Sequence, residues 1–177
     1  MDTRQKLIKT GALLFADKSF SEVSVETVTK KAKVSKGAFY HYFVSKEDFY
    51  FQIINEAYKI FQNIFIEKEK VMSSDVPKIQ VFLEAALTFF QKEKNLYMVI
   101  QNEVNKIVAG KKTHFYEFQQ KTIATINSLI ANKSDAMLPY VIMGLIRSAV
   151  IYKVQQNDDD NEIFNKLWKY IKACLEA

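Results

Sequence analysis

Residues 24–43 read SVETVTKKAKVSKGAFYHYF, two short helical patterns with only a tight turn between them, and no other stretch restricts the fold as much. Ser24 can cap the first helix, and Glu26 in its first turn meets the positive end of the helix dipole. Val25, Val28 and Ala32 fall at i, i+3 and i+7, which gives this helix one core-facing side. After a turn over Ala32 to Val34, Ser35 is the natural N-cap of the second helix, whose Phe39 and Phe43 form an inner stripe. That leaves Ser35, Lys36, Gly37, Ala38, Tyr40, His41 and Tyr42 on or near the outward surface. Small residues at the start of such a helix let its backbone approach base edges in the major groove, so the stretch has the outline of a helix-turn-helix.

The rest of the chain must be compatible with that motif. Four glycines and two prolines in 177 residues supply little turn chemistry for a β protein, and an all-α fold of about nine helices is predicted. The length suits one large or two small domains. A single cysteine, Cys174, excludes an internal disulfide and a cysteine-rich zinc site, as expected in a reducing compartment. No apolar run is long enough to span a bilayer and no N-terminal signal pattern is seen, so the expectation is a soluble, cytoplasmic protein with no membrane partner. Charge is uneven: residues 1–46 carry nine Lys/Arg against four Asp/Glu, whereas residues 47–177 carry sixteen of each. The excess positive charge therefore coincides with the motif, where phosphate backbones would meet it.

LIKTGALLFADKSF at residues 7–20, the two-helix stretch, and VSKEDFY at residues 44–50 together resemble the TetR family of bacterial transcriptional regulators. The resemblance implies a helix-turn-helix DNA-binding domain over residues 1–46, with its motif at 24–43, and a helical effector-binding and dimerisation domain over 47–177. Tyr40, Tyr42 and Lys46 match positions that usually touch the sugar-phosphate backbone. Ser24 and Thr27 are further phosphate-contact candidates, and Lys36 is assigned to a base edge or a phosphate. Two positions depart from the pattern: Thr29 stands where a tightly packed alanine is common, and Lys33 where the turn often has glycine.

Around the motif, Ile8, Gly11, Ala12 and Phe15 predict a helix from Thr3 to Asp17, with Phe20 as a plug in the small core. Ser45 and Asp48 suggest a capping box opening a long helix to about Lys70. Further helices are predicted from Ile79, over Leu96 to Val108 and ending at Gly110, over Thr113 to Ala131, from Met137 to Gln155, and from Asn161 to Leu175. The acidic turn Asp158 to Asp160 is read as a cap of the last helix, not as a metal site.

The last two helices are apolar over a wide arc, which predicts a homodimer formed through Met143, Gly144, Ser148, Ile151, Phe164, Trp168 and Ile171. Aromatic residues are abundant beyond the motif, and Phe61, Phe65, Phe89, Tyr97, Phe118 and Tyr140 are the candidates for lining an effector pocket that the resemblance implies. The two histidines, His41 and His114, have no neighbouring nucleophile pattern, and there is no glycine-rich phosphate loop or Cys/His cluster. No catalytic residue, cofactor or metal is predicted. The leading expectation is a homodimeric repressor released from a palindromic double-stranded DNA operator by a small, largely apolar or aromatic effector. The alternative is a DNA-binding dimer whose C-terminal domain is an interaction or assembly module without an effector.

Overall fold

The computed structural model describes residues 2–108, 115–130, 135–156 and 159–176. Among them the chain forms nine α-helices and no strand: α1 Thr3–Asp17, α2 Val25–Ala32, α3 Lys36–Tyr42, α4 Lys46–Val71, α5 Lys78–Lys92, α6 Lys94–Val108, α7 Phe115–Leu129, α8 Leu138–Gln156 and α9 Asp160–Glu176. Gly110, Thr113, His114, Ala131 and Asp158, each singled out above, lie outside the described residues.

Two compact units emerge, and each takes two segments of the chain. The first comprises Met1–Lys59 and Glu93–Phe118, so the expected boundary between residues 46 and 47 falls inside it. Its core gathers on Phe49, which is fully buried and whose ring lies 5.0 Å from that of Phe39, 4.8 Å from Phe43 and 6.2 Å from Phe15. One aromatic side chain thus joins α1, α3 and α4. At Gly11 α1 leaves no room for a side chain against α4: a Cβ there would land on the Phe49 ring and 2.6 Å from Ile53 Cδ1. α6 packs against α1 in the same unit.

Capping follows the local sequence. The hydroxyls of Ser24, Ser35 and Ser45 accept from the backbone N–H of Thr27, Ala38 and Asp48 at 3.0, 3.0 and 3.1 Å. The Asp48 carboxylate returns to the N–H of Val44 at 3.0 Å and not to that of Ser45, so the expected capping box is shifted by one residue. Thr29 is buried and its hydroxyl donates to the Glu26 carbonyl at 3.1 Å, which is how a threonine is accepted in a packed position.

Between α2 and α3, Lys33 takes the left-handed conformation with φ 54° and ψ 49°, and the Val34 N–H closes the turn on the Thr29 carbonyl at 3.0 Å. A lysine there carries strain that glycine does not. Lys33→Gly is therefore expected to raise stability by up to about 1 kcal/mol, read as a thermal midpoint about 2–4 °C higher. A lower midpoint would show that the Lys33 side chain itself stabilises the turn.

The second unit comprises Ile60–Lys92 and Gln119–Ala177. α8 and α9 pair, and α5 packs against both. Leu83, Ile126, Ile142 and Ile171 are its fully buried centre. Ile163, Leu167 and Ile171 recur every four residues on α9 as its core stripe, so Ile171 belongs to the interior of the subunit and not to the predicted interface. Asp159 caps α9 by accepting from the Asn161 N–H at 2.9 Å.

Candidate nucleic-acid interface

The outward side of the motif is polar, basic and sterically open. Ser24, Thr27, Ser35, Lys36, Gly37, His41, Tyr40 and Tyr42 are exposed, Ala38 is half-buried, and Lys30, Lys31 and Lys33 add positive charge beside them. Phe39 and Phe43 are buried beneath, their rings 5.3 Å apart, and fix the roll of α3 so that its other side must face out. Tyr40 and Tyr42 are held as well as exposed: the Tyr40 ring meets Phe39 edge-on at 5.3 Å, and Tyr42 meets His41 edge-on at 4.8 Å. The hydroxyls of Ser24 and Thr27 lie 2.9 Å apart at the start of α2, where both can reach a phosphate while one caps the helix.

Gly37 has open space around it. A Cβ at that position would meet only the Ser35 hydroxyl oxygen, at an ordinary 3.8 Å. Nothing inside the protein requires glycine there, so its want of a side chain concerns what approaches from outside. Gly37→Ala is expected to leave stability unchanged or to raise it slightly, since alanine is the better helix former. Affinity for cognate DNA should fall about tenfold or more, comparable to losing one base contact of about 1–3 kcal/mol. Fluorescence anisotropy alongside a thermal melt tests both; unchanged affinity would remove Gly37 from the interface.

Lys46 behaves differently from an ordinary surface lysine. Its Nζ donates to the Phe20 carbonyl at 3.0 Å and sits 4.1 Å from the centre of the Phe20 ring. Sequence reasoning missed this tether, because the partners are 26 residues apart and no periodicity connects them. It also missed Glu103, a buried carboxylate on α6 that accepts from the Tyr50 hydroxyl at 2.6 Å.

The other candidates are distributed as follows. In the second unit Phe61 and Phe89 lie 6.1 Å apart, and Phe82, absent from the predicted set, contacts both Phe61 at 5.1 Å and Phe65 at 5.9 Å. In the first unit Tyr97 is buried and Phe118 meets Tyr58 edge-on at 5.3 Å. Tyr140 is 44% exposed and sits on the outer side of α8, so it does not line the interior as expected.

That outer side carries Tyr140, Val141, Gly144, Ser148, Ile151 and Tyr152, all exposed and all on one helical face. Met143 is half-buried at its flank, as are Phe164 and Trp168 on α9. A groove of about 470 Å³ between α8 and α9, lined by Leu145, Ala149, Tyr152, Ile163 and Leu167, opens beside it. Among the described residues no group of three or more His, Cys, Asp or Glu is placed to hold a metal, and no helix is long and apolar enough to cross a membrane.

Comparison with known proteins agrees with this geometry. The sequence profile of bacterial regulatory proteins of the tetR family matches residues 7–53. The chain is 43% identical over 72 residues to the HTH-type transcriptional regulator YuxN of Bacillus subtilis, a stretch covering 40% of this chain and 25% of that protein. It is 36% identical over 66 residues to the HTH-type transcriptional repressor NemR of Escherichia coli K12, covering 37% of this chain and 33% of the relative. The chain thus spans about a third or less of the length of these two curated relatives. Over nearly its whole length it shares the fold of a transcriptional regulator from Aquifex aeolicus VF5, with a TM-score of 0.69, 23% identity and coverage of 98% of this chain and 99% of the other. The exposed, basic outer side of α3, the matched N-terminal stretch and the shared all-helical fold lead to one conclusion: residues 7–53 form a helix-turn-helix domain of the tetR family of bacterial regulatory proteins.

Proposed function

We propose that the protein is a homodimeric repressor that binds a palindromic operator through α3 of each subunit and leaves it when a small, largely apolar or aromatic effector binds. The observation that carries the DNA-binding part is the outward side of α3, where exposed Lys36 stands next to a glycine with open space around it. The repressor sense is supported by NemR, a relative named as a transcriptional repressor.

Dimerisation is supported by the outer side of α8. Tyr140, Val141 and Ile151 are 44%, 39% and 49% exposed, and such a contiguous apolar face is costly to leave in water. A Cβ on Gly144 would meet nothing within 4 Å in the subunit, which leaves room for close approach by a second copy. A two-fold dimer would present two α3 helices to successive major grooves roughly 34–36 Å apart. The effector site is proposed at the Phe61, Phe65 and Phe89 rings, where Phe82 completes an aromatic wall that suits an apolar or aromatic ligand. Effector and DNA then oppose each other with a reciprocal coupling.

Selection of bound duplexes from a random pool, at two salt concentrations, tests the DNA reading. The expected result is an enriched palindrome whose binding weakens steeply with salt. Binding without enrichment would leave only a basic surface. A rise in melting temperature with an apolar aromatic compound would support an effector; its absence across a broad panel would favour the assembly module instead.

A further inference from the structure

A phosphate contact made by a flexible lysine is worth little unless the side chain is already held near the position it must occupy. Lys46 is held twice by one residue. Its Nζ donates to the Phe20 carbonyl at 3.0 Å and lies over the Phe20 ring at 4.1 Å from the centroid. An ammonium has three N–H donors, so a bond to this carbonyl leaves donors for a phosphate oxygen.

Phe20 lies in the loop between α1 and α2, and its place depends on other elements. Its ring stacks on Phe15 at 6.0 Å with an interplanar angle of 13°, and meets the Tyr50 ring edge-on at 5.3 Å. Tyr50 is four residues after Lys46, on the same side of α4, and its ring also meets Phe15 edge-on at 4.7 Å. The Tyr50 hydroxyl in turn donates to Glu103 on α6 at 2.6 Å, with both residues buried. Burial and the adjacent carboxylate hold the Tyr50 phenol well above its usual range, so it remains a donor. Next to Glu103, Asn102 donates to the carbonyls of Phe15 and Ala16 at 3.2 and 3.3 Å and fixes the end of α1 from which the loop departs.

We infer that Phe20 and Tyr50 are positioning residues for the phosphate contact of Lys46, and that α6 holds them in place through Glu103. The inference rests on the DNA-binding reading above and adds a route within the first unit by which α6 sets DNA affinity. A double-mutant cycle measures this coupling directly.

The test uses the 177-residue chain and the duplex enriched by the selection. Lys46→Ala is expected to weaken binding and to lower the salt slope by about 1. Phe20→Leu keeps an apolar plug but removes the ring face, and should weaken binding about two- to twelvefold, the cost of immobilising one long side chain on binding. In a Lys46→Ala background the same change should have no further effect. Tyr50→Phe, which keeps the ring and drops the hydroxyl bond to Glu103, should show the same non-additivity. If Phe20→Leu does not fold, the Tyr50→Phe cycle decides. Equal losses with and without Lys46 would show that these aromatics only stabilise the core, and the inference would fall while the DNA reading stood. A wild-type protein that bound no duplex in a salt-dependent way would overturn both.

Discussion

Phe49→Ala is expected to lower the stability of the first unit by about 3–5 kcal/mol, the range for removing a buried phenylalanine. Small domains hold only about 5–15 kcal/mol in all, so the variant should populate unfolded motif helices under mild denaturant. Phe49 is fully buried and touches the rings of Phe15, Phe39 and Phe43, so the cavity would open where α1, α3 and α4 meet. Urea denaturation followed by circular dichroism should show a lower midpoint. Gly11 supplies the companion measurement. In the wild type Gly11→Ala should cost about 1–3 kcal/mol by overpacking, because the new methyl would meet Phe49 and Ile53. In the Phe49→Ala background the cost should shrink, as the larger of the two obstacles is gone. Equal costs in both backgrounds would show that α1 and α4 can separate to accept the methyl.

Ile151→Glu should convert the proposed dimer to monomers while leaving the subunit folded. Ile151 is 49% exposed on the outer side of α8, so a glutamate is solvated in the isolated subunit and should change its stability by no more than about 0.5 kcal/mol. In a two-fold interface the substitution appears twice, placing two carboxylates in a contact that excludes water. Like charges brought together there cost several kcal/mol, which should weaken self-association on the order of 100-fold or more. Sedimentation at micromolar concentration reads the change. Operator affinity should fall with it, because two linked half-site contacts become two independent ones. A wild-type protein already monomeric under these conditions would refute the dimer, and a dimeric Ile151→Glu variant would move the interface elsewhere.

The motif was legible in the sequence because its determinants are local. Ser24, Ser35 and Ser45 each cap a helix through a bond to a residue three positions away, and Phe39 and Phe43 are one helical turn apart. Even the left-handed Lys33 stands where the family pattern often has glycine. The last helices were less readable for a physical reason. α9 presents two adjoining apolar rows, Ile163–Leu167–Ile171 and Phe164–Trp168, and periodicity alone does not say which one meets α5 and α8. Ile171 was therefore placed outside although it is buried, while Tyr140, on α8, was placed inside and is exposed.

By itself the sequence determined the helices, their caps, the basic outer side of α3 and the tetR-type N-terminal domain, since each depends on residues within a few turns of one another or on a matched run of residues. Only the tertiary structure decided what holds α3 and Lys46 in place. Phe20 and Lys46 are 26 residues apart, Tyr50 and Glu103 are 53 apart, and Asn102 reaches back 87 residues to Phe15. Such contacts form only when helices distant in the chain are packed together, and hydrogen-bonding side chains at those separations leave no period for a reader of the sequence to find.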